Sequence, residues 1–125
     1  MLKMEVYPVK FTIEGIGEAE GEFYRVKAPH SVEDVYYALP VSGRAKIYEN
    51  AELYFLIDIQ VKAEHPTFDV SEGDIAYWPM GKAICVFWDK VKPYSEVNIM
   101  GKITKNLDLF KQVKNMTRIV LEKRE

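Results

Sequence analysis

Between Arg44 and Val61 apolar residues recur at every second position: Ala45 and Ile47, then, after a break at Glu49-Asn50, Leu53, Phe55, Ile57, Ile59 and Val61. A period of two is the period of a strand, because successive side chains of an extended chain point to opposite faces. This set forms the core side of a sheet. Tyr54 and Leu56 fall on the other side, where an apolar pair calls for a covering element or a binding surface.

A second segment, Gly73 to Trp88 (GDIAYWPMGKAICVFW), places two apolar strands around a Trp-Pro-Met-Gly turn. A tight trans turn at Trp78-Pro79, completed by Gly81, is expected here. Neighbours in a strand face opposite ways, so Tyr77 and Phe87 cannot all share a core with Trp78 and Trp88. One aromatic set must lie outside, either under a helix or loop or lining a ligand groove.

The remaining elements are shorter. Met4, Val6, Val9, Phe11 and Ile13 read as a strand whose phase Pro8 interrupts. Gly15, Gly17 and Gly21 mark a turn with acidic residues between them, and Phe23 to Val26 resumes a strand, giving a hairpin. Ser31 is expected to cap a helix, with Asp34 three residues on and Val32, Val35, Tyr36 and Leu39 on one face, and Pro40 ends it. Glu64 to Glu72 and Asp89 to Pro93 read as loops. Val97, Ile99 and Ile103 continue as a strand. Asn106 is expected to cap a second short helix that buries Leu107, Phe110 and Val113, before a last strand from Thr117 to Leu121. Eight strands and two short helices suit a mainly β fold: a closed, eight-stranded antiparallel barrel with the helices covering its ends.

The 125 residues fit one domain, 1–125, with a core that needs no staples. A formal net charge of -2 offers no broad positive field, so nucleic acid is not an expected partner. No apolar run reaches the length of a membrane span, and the single cysteine, Cys85, rules out an intrachain disulfide, so the chain reads as cytoplasmic and not membrane-bound. His30 and His65 show no metal-ligand spacing with Cys85 or a carboxylate, and neither a metal nor a cofactor is expected. Cys85 reads as a small buried hydrophobe rather than a nucleophile. Glu49 and Glu52 read as solvated acids near a strand turn.

Three segments carry a family resemblance. Lys27-Ala28-Pro29-His30-Ser31-Val32-Glu33-Asp34, followed by Tyr37-Ala38-Leu39, resembles the cyclophilin pattern in which Ala-Pro introduces a helix beginning Thr/Ser-Val-Glu. Gly73 to Phe87 resembles the two strands that carry the cyclophilin Gly-Ser-Gln-Phe-Phe motif. Asn98-Ile99-Met100-Gly101-Lys102-Ile103, continuing to Leu107-Asp108-Leu109, resembles the Val-Phe-Gly-Lys-Val strand and its following helix. Glu52-Leu53-Tyr54-Phe55 and the pattern GDxxYWPxGKAxCxF are most similar to a small prokaryotic subgroup of cyclophilin-like proteins of uncharacterised function. The resemblance implies the eight-stranded barrel.

It does not bring prolyl isomerase chemistry with it. Ala83 stands where the isomerase glutamine would be, Cys85 where the pocket phenylalanine would be, and Val97 where the histidine would be. The Phe-His-Arg-Val motif is absent. Arg44 and Lys82 are the candidates left to polarise a proline amide, whose resonance makes its rotation barrier high. The expected function is binding of a peptide segment or small molecule on an aromatic outer face formed by Tyr54, Tyr77, Trp78, Met80 and Lys82. The alternatives are a non-canonical isomerase and a homo-oligomer that buries this face.

Overall fold

The computed structural model describes residues 5–124. Among these residues nine strands form one antiparallel sheet: β1 (Val6–Ile13), β2 (Gly17–Tyr24), β3 (Val41–Arg44), β4 (Lys46–Tyr48), β5 (Glu52–Leu56), β6 (Asp74–Trp78), β7 (Ala83–Phe87), β8 (Asn98–Lys105) and β9 (Arg118–Lys123). The order across the sheet is β3-β9-β1-β2-β8-β6-β7-β5-β4. Its two outermost strands, β3 and β4, are joined through the single residue Ala45, so the sheet curls until its edges meet. Gly43 permits that approach. A Cβ there would lie 2.8 Å from the Leu56 carbonyl oxygen and 3.2 Å from the Phe55 Cβ. The result is a nearly closed barrel of nine strands rather than a closed barrel of eight. The extra strand is β3, four residues that precede the alternation beginning at Ala45 and pair with β9, before the chain changes partner to β5.

Tyr7, Val9, Phe11 and Ile13 all point inward along β1 in unbroken alternation, so Pro8 does not disturb the phase. Pro8 sits near the start of the strand, where a missing N–H is tolerated. Met4 lies outside the described residues. The first turn is confined to Glu14–Ile16, and β2 begins at Gly17, earlier than expected. Its acids are not turn residues: Glu18, Glu20 and Glu22 alternate with inward Ala19, Gly21 and Phe23.

One α-helix, α1 (Pro29–Ala38), sends Val32, Val35 and Tyr36 into the barrel core. Ser31 does not cap it. The helix starts two residues earlier because Pro29 suits its first turn, and the first amides are satisfied from a distance by Glu64. The Glu64 Oε2 accepts from the His30 N–H at 3.0 Å and its Oε1 from the Ser31 N–H at 2.9 Å. The second helix is a 3-10 segment, Leu107–Gln112. Asn106 precedes it in a left-handed conformation, φ 66, and its side chain donates to the Glu18 carbonyl instead of capping. Phe110 stands edge-on to Phe11, with centroids 5.5 Å apart. The Leu39-Pro40 bond is cis and Trp78-Pro79 is trans. No helix among the described residues is long and apolar enough to cross a membrane.

Candidate functional site

The pairing of β6 with β7 decides which aromatic residues face outward. Trp78 pairs with Ala83, Tyr77 with Ile84, Ala76 with Cys85 and Ile75 with Val86. Directly paired residues share a face, so Ile75, Tyr77, Ile84 and Val86 point into the barrel, where Trp88 joins them. Ala76, Trp78, Cys85 and Phe87 point out. There they make a second apolar layer with Tyr54, Val70, Val91, Val97 and Ile99.

Two loops roof this outer layer. They are pinned to each other where Thr67 and Val97 exchange N–H···O bonds, both 3.0 Å, and where the Lys92 ammonium lies 4.9 Å from the Phe68 ring centre. The roof is incomplete. Beside it opens a cavity of about 340 Å³ walled by Tyr48 of β4, Tyr54 of β5, Trp78 of β6 and Tyr94 of the second loop, with Pro93 and Val97 at its rim. The Trp78 ring stands near-perpendicular to its neighbours. It meets Tyr54 at 5.3 Å and 76°, and Tyr94 at 6.0 Å and 75°. Its indole N–H donates to the Ser95 hydroxyl, and Gly81 packs against its six-membered ring so closely that a Cβ would fall 2.3 Å from Cε3.

Glu52 and Cys85 are the cavity's remaining lining residues. Glu52 is only 4 % exposed. Burial pushes its carboxyl up to about 7, against a hydrogen bond with the Cys85 thiol that lowers it. Burial also pushes the Cys85 thiol well up, and the adjoining Glu52 charge and hydrogen bond add to this, which leaves the sulfur a poor nucleophile. Glu52 is therefore not the solvated acid that its place after a turn suggests. The alternation assigns it the side of Tyr54, two positions on, and that was the available signal.

The structure brings together only some of the residues expected to bind. Tyr54 and Trp78 share the cavity wall. Tyr77 does not reach it: the side chain is fully buried in the barrel, and its hydroxyl donates to the Ile59 carbonyl at 2.7 Å while accepting from the Val61 N–H at 3.1 Å. Met80 projects from the turn, 68 % exposed, with its sulfur 3.7 Å from the Ser95 hydroxyl. Lys82 lines a separate depression with Val41, Ser42 and Asp58. Arg44 lines a third with Lys46, Met116, Tyr54 and Leu56, which adjoins the cavity at Tyr54 and the Lys82 depression at Leu56; no one depression holds both Arg44 and Lys82. Glu49 is exposed in the turn, apart from Glu52. Among the described residues no three His, Cys, Asp or Glu side chains group as a metal-binding set.

Comparison with known proteins agrees with this architecture. The family model described as Cyclophilin-like matches residues 7–122. The solution structure of a hypothetical protein from Archaeoglobus fulgidus is similar at 32% identity and a TM-score of 0.80, covering 98% of both chains. The structure of McbB in complex with tryptophan shares the fold at 11% identity and a TM-score of 0.79, over 93% of this chain and 44% of that one. No curated protein matches. With nearly its whole length matched by the family model and by an archaeal structure of the same fold, the chain belongs to the Cyclophilin-like family.

Proposed function

We propose that the protein is a binding module whose outer-face cavity takes a small molecule, or one side chain of a peptide segment, between Tyr54, Trp78, Tyr94 and Glu52. The observation that carries this reading is the gap in an otherwise roofed apolar layer, walled by four aromatic rings with a single carboxyl among them. Concave, mainly apolar sites with few polar groups are the usual form of small-ligand sites. The GDxxYWPxGKAxCxF pattern, with the archaeal relative at 32% identity, supports membership of the prokaryotic subgroup.

Prolyl isomerase activity is not part of the proposal. A donor must meet the twisted amide, and neither candidate cation lines this cavity: Lys82 lines a separate depression, and Arg44 lines one that adjoins the cavity at Tyr54. Chemical-shift mapping with proline peptides and a panel of metabolites tests the reading. Tryptophan, the compound held in the McbB structure, belongs in that panel. Shifts at Tyr48, Tyr54, Trp78 and Tyr94 are expected from at least one compound, and no acceleration of an Ala-Pro peptide in a protease-coupled assay. Shifts that gather around Lys82 or Arg44 instead would sink the reading.

A further inference from the structure

The lining of the outer cavity is unbalanced in charge. No lysine, arginine or histidine is among its residues, so an anion would find no partner there. Glu52 supplies the one ionisable group of low intrinsic pKa, and it has no cation within ion-pair distance among the described residues. A buried carboxylate with a thiol as its hydrogen-bond partner but no cation beside it is costly, and such groups either stay protonated or wait for a positive charge. Four aromatic residues surround the same space. Trp78 has committed its indole N–H to Ser95, so it meets a ligand as an aromatic ring rather than as a hydrogen-bond donor. The near-perpendicular setting of Trp78 against Tyr54 and Tyr94 turns ring faces and edges in several directions around one volume. Aromatic faces attract cations through their quadrupole, most strongly where water is excluded.

Resting on the binding-module reading above, we infer that the ligand is an organic cation, an ammonium group bearing methyl or other apolar substituents, held by the Tyr48, Tyr54, Trp78 and Tyr94 rings with Glu52 as its counter-ion. The same ammonium chemistry occurs as a free small amine and as a methylated lysine side chain. Binding is coupled to a proton. The carboxyl is half-protonated near neutral pH, and the incoming cation favours its ionised form, so the proton leaves for solvent. The titratable groups that line the cavity with Glu52 are the Cys85 thiol and the phenols of Tyr48, Tyr54 and Tyr94, while Lys46, paired opposite Tyr54 on the same face, and Arg44 line the depression that adjoins at Tyr54. None of the lining groups is a cation, and neither Lys46 nor Arg44 is within ion-pair distance of Glu52 or among the causes of its shift.

The test is titration calorimetry of the full chain with choline, with its neutral isostere in which carbon replaces the quaternary nitrogen, with phenylacetate, and with a short peptide carrying trimethyl-lysine. Choline or the peptide should bind at least roughly tenfold more tightly than the isostere, a ratio of the size that desolvated cation–π contacts provide. Which of the two binds distinguishes the free amine from the side chain. Glu52→Gln should remove most of that preference while leaving the isostere unchanged. Tyr94→Leu, at a loop residue 70 % exposed and dispensable to the core, should weaken the cations in a chain that still folds. Below neutral pH the affinity for choline should fall, with proton release appearing as a buffer-dependent heat. Equal affinity for choline and its isostere, or preference for phenylacetate, overturns the cation assignment and leaves the binding module intact. Absence of binding heat from all four, together with no shift of the cavity residues by any compound in the chemical-shift mapping, overturns both.

Discussion

The Tyr77 hydroxyl bridges two residues of the segment after β5, donating to the Ile59 carbonyl at 2.7 Å and accepting from the Val61 N–H at 3.1 Å. Past Leu56 the chain leaves the ladder, yet Ile57 and Val61 remain buried in the core. That segment has lost its strand partners, and the phenol inside the barrel substitutes for two of the missing bonds. Tyr77→Phe keeps the ring and strands both groups, which costs about 1–3 kcal/mol. Denaturant melts should show this loss. Because the ring points away from the outer cavity, binding there should be unaffected; a variant that loses binding but keeps its stability would contradict this division of roles.

Glu64 serves α1 in the way a local cap would, from a loop on the other side of the chain. Besides the His30 and Ser31 amides, its carboxylate accepts the Ser31 hydroxyl at 2.9 Å, and Asn98, fully buried, ties the same hydroxyl to the Lys62 carbonyl. Partial burial raises the Glu64 carboxyl, but the hydrogen bonds from His30 and Ser31 outweigh this and hold it below its ordinary value. A lowered carboxyl contributes stability above the unfolded pKa and loses it as pH falls through the folded one. Glu64→Ala should therefore cost about 1 kcal/mol at neutral pH, the usual worth of an N-cap. The gap from the parent should narrow as pH falls below the folded-state pKa, where the carboxylate is protonated in both states. Urea midpoints at neutral and acid pH decide it, and a gap that persists in acid would refute the cap.

These two residues also show what the sequence could and could not disclose. Period-two runs identified the strands that follow the barrel wall, because each buries one face only. They could not report a strand as short as β3, Val41–Arg44, which lies before the alternation begins and does not read as a strand. A helix start was legible from Ala28-Pro29, but its cap was not: Glu64 lies 33 positions from Ser31, and no local pattern encodes that distance. The division of Tyr77 from Trp78 was legible as an alternation, while its direction depended on the β6–β7 register that pairs Trp78 with Ala83. Tyr94 lies in a polar loop without periodicity, and nothing in its neighbours announced that it returns to Trp78.

Gly81 is a packing requirement of the cavity wall. The ring of Trp78 occupies the space a side chain would need, with Cε3 and Cζ3 at 2.3 and 2.4 Å from the Cβ position. An aromatic ring held by its own hydrogen bond to Ser95 has little room to yield. Gly81→Ala should destabilise the fold by about 1–3 kcal/mol, as overpacked sites do, and should turn Trp78 away from Tyr54. Loss of the Ser95 bond should appear as a shift of the Trp78 indole N–H resonance. An unmoved resonance in a fully stable variant would show that the wall accommodates the methyl group.

Glu52 makes the opposite prediction to Glu64. Its carboxyl is raised from 4.5 in the unfolded chain to about 7 in the fold, because burial among Tyr54, Cys85 and the cavity aromatics penalises the charge. For a raised acid the folded state binds the proton more tightly, so the favourable contribution is complete below about 4.5 and is lost as pH rises to about 7. A difference of that size corresponds to about 3 kcal/mol between the two ends of the window. The parent should thus lose stability from pH 5 to pH 8, and Glu52→Gln, which cannot ionise, should show a much flatter profile and exceed the parent at the alkaline end. Saturating choline should restore part of the parent's alkaline stability by stabilising the carboxylate, and should do nothing for Glu52→Gln. Thermal melts across that pH range, with and without choline, separate the two effects. A steep alkaline loss that survives in Glu52→Gln would assign it to another group.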